Sequence, residues 1–509
     1  MPLIEQKKHR SRLAYRAAER TNAPTRVDDV QWNRCKMHIV VLAAMAATML
    51  FLGDDAPALA VPAWVVGMAG AGYWAVTAIL SASGSAWGLR AMATGAESDW
   101  RATRRRAMLA VATRVWLIAG LAGLIVLGYG RWVMLDLRLG GWPLVGKAAV
   151  VAPFIVALLL NWLLEYPLHR ASRRRLVESA VAGGRRVPPA WTLGQFLGNN
   201  IRHQLLFIAV PIAIIVLLAD VLDLYLYPIL PAETADYIMS AANIACICAV
   251  FLCVPFLIVR IWRTERLGDG PLRRDLEATC RRLGLRFREI LVWKSGGVIA
   301  NAGVVGLLPA VRYVLLSDAL LADMSERHVR AIFAHEAGHI KHRHILFAVL
   351  FVLVAVAFST LAAEAVMVLA SLSSWHGNVL AMAFVAASFA LGFGWLSRRF
   401  ERQSDVMAAW VSSWDDQAPG KTDDTVTPEG AAVFATALER VAWLNGMRTR
   451  AGNWRHGSVA WRLSYIRWLG SRYGSRCEID RFVRRLKTAL LGALVIVGAL
   501  AAWRMHPGL

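Results

Sequence analysis

The sequence predicts a mainly α-helical, polytopic membrane protein with one smaller α+β domain at the cytoplasmic membrane face. The chain has 509 residues, of which 57% are hydrophobic, and it carries a net charge of +22. Apolar runs close to the roughly 20 residues that cross a bilayer recur along it, and basic residues cluster between them. Ordinary soluble domains do not combine this apolar content with this charge, so we expect an integral membrane protein.

About nine apolar runs are candidates for membrane helices. They cover approximately residues 38–53, 57–83, 107–134, 145–166, 205–228, 237–262, 345–370, 378–396 and 487–503. The first and last runs are the shortest. This order predicts a basic N-terminal segment at 1–37, a block of about six helices at 38–262, a domain at 263–486 that the runs 345–370 and 378–396 interrupt, and a C-terminal helix in 487–509.

Charge predicts the orientation of these runs. Basic clusters follow the second and fourth runs, at Arg101, Arg104, Arg105 and Arg106 and at Arg170, Arg173, Arg174 and Arg175. Acidic pairs lie in the opposite loops, at Asp54 and Asp55 and at Glu233 and Asp236. By the positive-inside rule the N-terminus and the domain at 263–486 are cytoplasmic. We expect a bacterial inner membrane rather than an organelle membrane. Because the basic residues are not gathered on one surface, we expect a lipid bilayer and no nucleic acid as a partner.

The segment 263–344 predicts helices and strands in alternation. A helix begins at Pro271 and ends at Gly284. "REILVW", "VIANAGVVG" and "VRYVLLS" predict three short strands. Ser325 is a suitable N-cap for a helix that runs to Ile340, and Thr427 followed by a proline predicts another helix start.

The stretch "FAHEAGHIKHRH", from Phe333 to His344, lies on the helix that Ser325 caps. His335 and His339 are four residues apart, so both imidazoles lie on one helix face and can bind one Zn²⁺. Glu336 is offset around the helix, where it can act as general base toward a water that zinc activates. Gly338 leaves room for another element to approach closely.

A third ligand decides whether this stretch is a zinc site or the basic, membrane-flanking surface that His342 and its neighbours also suggest. The later segment "LSRRFERQSDVMAA", 396–409, offers Glu401 and Asp405. Two predicted membrane helices separate it from the histidines, so it returns to the same membrane face. Glu401 would complete a His₂Glu site with an open fourth position. Asp405, one turn further, would hold a ligand histidine or a nearby arginine.

Together these segments resemble the membrane-bound zinc metallopeptidases that include the CAAX prenyl endopeptidases and the HtpX-type quality-control proteases. "HEAGHIKHRH" is similar to the family's H-E-x-G-H with a further histidine, which aligns His344 but gives it no role. "NAGVVG" resembles its Asn-Ala strand, and "SRRFERQSD" keeps its E-x-x-x-D core. "HGSVAWRL", 456–463, is similar to its H-P-S-x-x-x-R-I, with Gly457 in place of proline. The resemblance covers roughly residues 265–470, about 40% of the chain.

The resemblance implies a zincin-like α+β catalytic domain within 263–486. It implies that His456 assists the tetrahedral intermediate and that Arg462 pairs with Asp405 or with the substrate. By itself, His456 is a surface residue among tryptophans and an arginine. The strand at Asn301 and Ala302 would bind peptide through its unpaired backbone groups, as an edge strand can.

The sequence therefore predicts an integral membrane zinc metalloendopeptidase that binds one Zn²⁺ per chain through His335, His339 and Glu401. Its substrates would be peptide bonds of membrane-associated or misfolded proteins, with Glu336 as general base and His456 as a second catalytic residue. A CAAX prenyl protease acting on lipidated C-termini would use the same chemistry. An intramembrane protease would carry the motif inside an apolar run, but here it lies between "SERHVR" and "KHRH". A non-catalytic membrane scaffold or receptor that retains the fold is the alternative of another class.

Overall fold

Helices dominate the computed structural model, which describes residues 41, 44, 61–95, 100–182, 191–297, 299–371, 374–416, 424–445, 447, 449–452 and 454–505. By length and composition, seven helical stretches of these residues can cross a membrane. They are Ala63–Ala93, Arg104–Val126, Val145–Arg175, Leu193–Ile229, Ala235–Ile261, His344–Ala370 and Val379–Ser412. They coincide with the second to eighth predicted apolar runs, so a mainly helical protein with several membrane helices is confirmed.

The count of nine membrane helices stays a prediction. The segment 1–37 lies outside the described residues, as does nearly all of the run 38–53. The last predicted run lies within the helix Cys477–Met505, which is not among the seven candidate spans.

The N-terminal half of the described chain is a bundle of long helices. These are α1 (Ala63–Ala93), α2 (Trp100–Val126), α3 (Val145–Ala182), α4 (Leu193–Asn200), α5 (Phe207–Val221) and α6 (Ala235–Ile261), with the π-helical segment Ile201–Leu206 joining α4 to α5. α1 packs against both α2 and α3. A Cβ atom at Gly120 would come within 2.4 Å of the Tyr73 ring, so glycine lets α1 and α2 approach closely.

A four-stranded sheet follows α6. Its elements are β1 (Thr264–Arg266), α7 (Pro271–Leu283), β2 (Glu289–Trp293), β3 (Ala302–Val305), β4 (Tyr313–Ser317) and α8 (Asp318–Asp323). The strand order is β1-β2-β4-β3; β2 and β4 are parallel and the two outer pairs are antiparallel. The predicted helix from Pro271 to the left-handed Gly284 and the three predicted strands are confirmed. Sequence analysis missed β1, because Thr-Glu-Arg shows no apolar alternation.

The histidine-bearing helix α9 (Glu326–Lys341) packs among the remaining elements. These are α10 (His344–Ala370), α11 (Ser374–Ala387), α12 (Gly394–Ser412), α13 (Pro428–Leu444), α14 (Val459–Ser471) and α15 (Cys477–Met505). Ser325 accepts a hydrogen bond from the His328 amide and Thr427 from the Gly430 amide, which confirms both predicted N-caps. α9, α12 and α13 share one core, in which Phe333 and Phe434 are each 1% exposed.

The contact between α9 and α12 depends on one glycine. A Cβ atom at Gly338 would lie 3.0 Å from the Cα and 3.1 Å from the Oγ of Ser404, so the missing side chain permits the close approach that the sequence predicted. Ser404 is fully buried and lies between Glu401 and Asp405 on α12. This contact therefore fixes the distance between α9 and α12 next to the candidate ligands.

We expect Gly338→Leu to push α9 away from α12, since the added side chain has no space. Overpacking of this kind lowers the free energy of unfolding by about 1–3 kcal/mol. Thermal unfolding of the purified full chain in detergent measures the effect. Gly492→Leu on α15 is the matched control, because a Cβ atom there meets nothing within 4 Å. Equal stability of the two variants would show that the close contact at Gly338 is not a constraint.

Candidate metal centre

Two helices bring His335, His339 and Glu401 together. The histidines project from α9 and the glutamate from α12, and one ligand atom from each residue lies within 4.8 Å of the other two. The two Nε2 atoms are 3.3 Å apart. His335 Nε2 lies 3.6 Å from Glu401 Oε2, and His339 Nε2 lies 3.7 Å from Glu401 Oε1. His335 and Glu401 are buried.

This donor set fits a zinc ion. Zinc–ligand bonds of about 2.0–2.2 Å in a tetrahedron place the ligand atoms about 3.3–3.6 Å from one another. The two Nε2 atoms are 3.3 Å apart, and each lies 3.6 or 3.7 Å from one of the two carboxylate oxygens of Glu401. In addition, Glu401 Oε2 is buried and has no hydrogen-bond partner among the described residues, as expected of an atom whose natural partner is a metal.

Two further groups border the same point. Glu336 is partly buried on α9, and burial raises the pKa of its carboxyl to about 7. His456 precedes α14, and its Nδ1 lies 2.8 Å from Glu401 Oε1 while 41% of its side chain is exposed. The tertiary structure thus brings His456 to the mouth of the site, although it lies 55 residues after Glu401 in the chain.

Asp405 connects the site to a buried arginine. Its Oδ1 lies 2.9 Å from His335 Nδ1, while Arg462 donates to Oδ2 from Nε at 2.8 Å and to Oδ1 from Nη2 at 2.6 Å. Arg462 Nη1 also lies 3.5 Å from Glu401 Oε2. Burial alone would lower the pKa of Arg462, but the hydrogen bonds and charge of Asp405 raise it above its usual value. The guanidinium therefore stays charged and compensates two buried carboxylates.

The two ligand histidines differ in their surroundings. Burial disfavours the charged form of His335, but its contact with Asp405 outweighs this and raises its pKa. Burial lowers the pKa of His339 to about 3, so its ring is neutral. An imidazole whose Nδ1–H faces a carboxylate presents Nε2 outward as a lone-pair donor, which is the arrangement that metal-binding histidines use.

A second series of polar side chains extends from His339. None of these residues was predicted from the sequence to contact a candidate ligand. His344 Nδ1 lies 3.0 Å from His339 Nδ1, and His344 Nε2 lies 2.9 Å from Gln403 Oε1. Gln403 Nε2 donates to Asp480 Oδ1 on α15 at 2.6 Å. The His344 ring stacks on Phe400 at 4.2 Å, which fixes its plane. The family pattern included His344. Gln403 and Asp480 carry no local signal, because the two residues are 77 positions apart in the sequence.

His342 does not belong to the basic surface that the sequence suggested. Its Nε2 lies 3.8 Å from Asp480 Oδ1, and 15% of its side chain is exposed. Burial lowers its pKa to about 4, so the ring is neutral at physiological pH. A neutral histidine contributes no charge to a membrane-flanking surface.

The predicted peptide-binding strand packs against the helix that carries the two histidines. Within the part of the chain that the structure describes, β3 pairs only with β4, and it contacts α9. Asn301 immediately precedes β3 and is exposed, whereas Ala302 is 6% exposed and lies opposite Leu316 of β4. The structure therefore places both residues at an edge of the sheet that has no other strand partner among the described residues.

We expect Asp405→Asn to destabilise the fold strongly, because it leaves Arg462 buried without its full countercharge. Breaking one side of a buried pair costs about 3–5 kcal/mol. The control is Glu439→Gln, which removes the exposed pair of Glu439 with Arg467 at 2.5 Å and should cost less than about 1 kcal/mol. Thermal unfolding in detergent compares them; similar losses in both variants would contradict a buried, structural role for Asp405.

Comparison with known proteins agrees with this geometry. Residues 267–440 match the family model "Peptidase family M48". Over 111 residues the chain is 30% identical to a "Protease HtpX homolog" of Aeropyrum pernix, a match that covers 21% of this chain and 34% of that protein. Over 123 residues it is 28% identical to "CAAX prenyl protease 1" of Saccharomyces cerevisiae, covering 24% and 27% respectively. The matches thus span about a third or less of these relatives' length.

A solved structure is also similar. The crystal structure of S. mikatae Ste24p aligns with 81% of this chain and 100% of its own, with a TM-score of 0.46 and 14% identity. The segment 267–440 contains α9 and α12, and therefore His335, His339 and Glu401. The resemblance that the sequence motifs carried is confirmed: residues 267–440 match the peptidase family M48 model, in a chain whose described residues include seven candidate membrane helices.

Proposed function

We propose that this protein is an integral membrane zinc metalloendopeptidase that hydrolyses peptide bonds of membrane-associated or misfolded proteins at a site facing the cytoplasm. The observation that carries the proposal is the convergence of His335, His339 and Glu401, whose ligand atoms all lie within 4.8 Å of one another, with the two Nε2 atoms 3.3 Å apart. Glu336, on the same helix, supplies the carboxylate that hydrolysis needs.

In this proposal each residue of the site has one task. Zinc, when bound by the three ligands, supplies Lewis acidity toward the scissile carbonyl and toward water. Glu336 takes a proton from the attacking water and returns it to the leaving amine, which its position in a partly buried environment favours. His456 donates a hydrogen bond to the oxyanion from the open side of the site. Asp405 orients His335, and Arg462 holds Asp405 in place.

Substrate would bind along β3. The backbone N–H and C=O of Asn301 already bond to Ser317, so the edge available to a peptide begins at Ala302, where β3 has no second strand partner among the described residues and packs against α9. Backbone pairing depends little on side chains, so cleavage would tolerate many sequences. The similarity to "CAAX prenyl protease 1" supports a second candidate, cleavage of lipidated C-termini by the same residues. Hydrolysis of a farnesylated peptide but not of an unfolded membrane protein would favour the second candidate.

We expect Glu336→Gln to abolish peptide hydrolysis while zinc stays bound, because the amide cannot accept the proton from water. General acid–base catalysis contributes about 10²–10⁴-fold, so a loss of at least that size is expected. Cleavage of a fluorogenic peptide and metal analysis of the same sample measure both properties. A Glu336→Gln protein that binds zinc and still cleaves at the normal rate would refute the role of Glu336 as general base, whereas a wild-type protein that neither binds zinc nor cleaves peptide would favour a non-catalytic scaffold.

We expect Glu401→Ala to lose zinc, since one of three ligands is removed. Elemental analysis after dialysis gives the metal content, and Glu439→Ala, on the exposed face of α13, is the control that should retain one Zn²⁺ per chain. Full zinc occupancy in the Glu401→Ala protein would overturn the ligand assignment without bearing on Glu336.

We expect Gln403→Leu to weaken zinc binding by about 10–100-fold, because it cuts the chain that holds His344 against His339. Competition with a chromophoric chelator measures the affinity independently of activity. The control is Glu478→Gln on α15, whose carboxylate pairs with the exposed Arg472. Unchanged affinity in Gln403→Leu would mean that this polar chain serves packing alone.

A further inference from the structure

A polar cavity lies between the N-terminal membrane helices, far along the chain from the peptidase residues. Its volume is about 60 Å³, enough for about two water molecules or one small polar group. α1, α2, α3 and the segment 193–206 form its walls. The polar residues among its lining are Ser81, Ser85, Arg106, Thr113, Arg114, Asn161, Glu165, His169, Asn200 and Gln204. Ionisable and amide side chains inside a membrane bundle are costly and commonly mark a binding site.

Three side-chain amides in this cavity have unused hydrogen-bonding groups. Asn161 and Asn200 are each 1% exposed and Gln204 is 5% exposed. Asn161 Oδ1 accepts from Ser81 Oγ at 2.9 Å, but its Nδ2 has no partner. Asn200 Nδ2 and Gln204 Oε1 also have none among the described residues. Buried polar atoms of this kind require a partner, and in a bilayer water does not reach them from the lipid side.

The charges around the cavity favour an anion. On α3, Asn161, Glu165, His169 and Arg173 follow one another at four-residue spacing and so share one face. Arg173 is 7% exposed, and its Nε and Nη2 have no hydrogen-bond partner among the described residues. Arg106 and Arg114 line the cavity together with the single carboxylate of Glu165, and Arg173 lies one turn beyond the lining residue His169 on α3.

The cavity lies near one end of the bundle of N-terminal helices. Arg106 is near the start of α2 and Arg173 is near the end of the span Val145–Arg175, so both are at one end of the bundle. Exposed arginines of α2 and α3 lie at this end, which is the predicted cytoplasmic side: Arg104, Arg105, Arg170 and Arg174. Phospholipid headgroups lie at this level of a bilayer, and basic pockets between membrane helices bind anionic headgroups.

We propose that this cavity binds a phosphate-bearing anion, with Asn161 and Asn200 as hydrogen-bond donors from its lining and Arg173, one turn beyond the lining residue His169, as a guanidinium with unused N–H groups. A phosphate has only acceptor oxygens when ionised, which matches the unused N–H groups of these three residues. The phosphate belongs either to an anionic phospholipid or to a small soluble phosphate ester. This site is independent of the proposed peptidase activity.

The cavity wall continues to the peptidase domain. His203, in the segment that contributes Asn200 and Gln204, has its ring 5.3 Å from that of Trp293 in β2. Trp293 in turn stacks on Trp262 at 4.7 Å. A ligand that orders this segment therefore adjoins the sheet of the domain, and its binding should raise the thermal unfolding midpoint of the whole chain.

Native mass spectrometry of the full-length, delipidated protein tests the proposal. We expect one phosphatidylglycerol per chain to bind at concentrations where phosphatidylcholine does not, and Arg173→Gln to weaken this binding about tenfold or more, since it removes a charge-assisted hydrogen bond. The matched control is Arg170→Gln, one turn away on the exposed side of α3, which should change binding less than about twofold. Competition by glycerol 3-phosphate would identify a soluble ester as the ligand; its absence would identify the lipid.

Two results would overturn the proposal. Equal binding of phosphatidylglycerol and phosphatidylcholine to the wild-type protein would mean that water or neutral lipid fills the cavity, and this comparison needs no variant that folds poorly. Equal weakening by Arg173→Gln and Arg170→Gln would mean attraction to the basic surface in general. A thermal midpoint for each variant without lipid, matched to the wild type, confirms that folding is preserved.

Discussion

The close contact between α9 and α12 is the constraint on which the candidate metal centre depends. A metal site with two ligands on one helix and one on another exists only if the helices are held at a fixed distance and rotation. Here Gly338 contacts Ser404, where an added Cβ atom would come within 3.0 Å. His339 follows Gly338 by one residue on α9, and Glu401 precedes Ser404 by three residues on α12. Interhelical distance is thus set by backbone contact, which is stiffer than contact through long side chains.

Charge compensation is the second constraint. Burying Glu401 and Asp405 in one core costs solvation free energy that packing cannot return. Arg462 contacts both carboxylates, and Asp405 also contacts His335. The same groups that hold the fold together therefore also orient a candidate ligand. This coupling of stability and site geometry explains why the polar residues of the core converge at one point.

The membrane helices and the domain are joined through the same elements. α12 continues the candidate span Val379–Ser412, so Glu401 extends from a membrane helix into the domain core. His339, His344, Gln403 and Asp480 connect α9, α10, α12 and α15 through hydrogen-bond distances of 3.0, 2.9 and 2.6 Å. The candidate site is therefore built in part on residues of candidate membrane helices.

Local patterns in the sequence were enough to predict the membrane helices, the strands after α7, the N-caps at Ser325 and Thr427, and the pairing of His335 with His339, because each follows from the periodicity or capping of a single element. Glu401 also followed, since an even number of predicted spans returns the chain to one face. Only the tertiary structure decided the contact of His456 with Glu401, the chain from His344 to Asp480, the burial of His342 and the cavity around Asn161. These features depend on contacts between elements that are far apart in sequence. Helical periodicity predicts which face of a helix is buried, but it does not predict which element packs against that face.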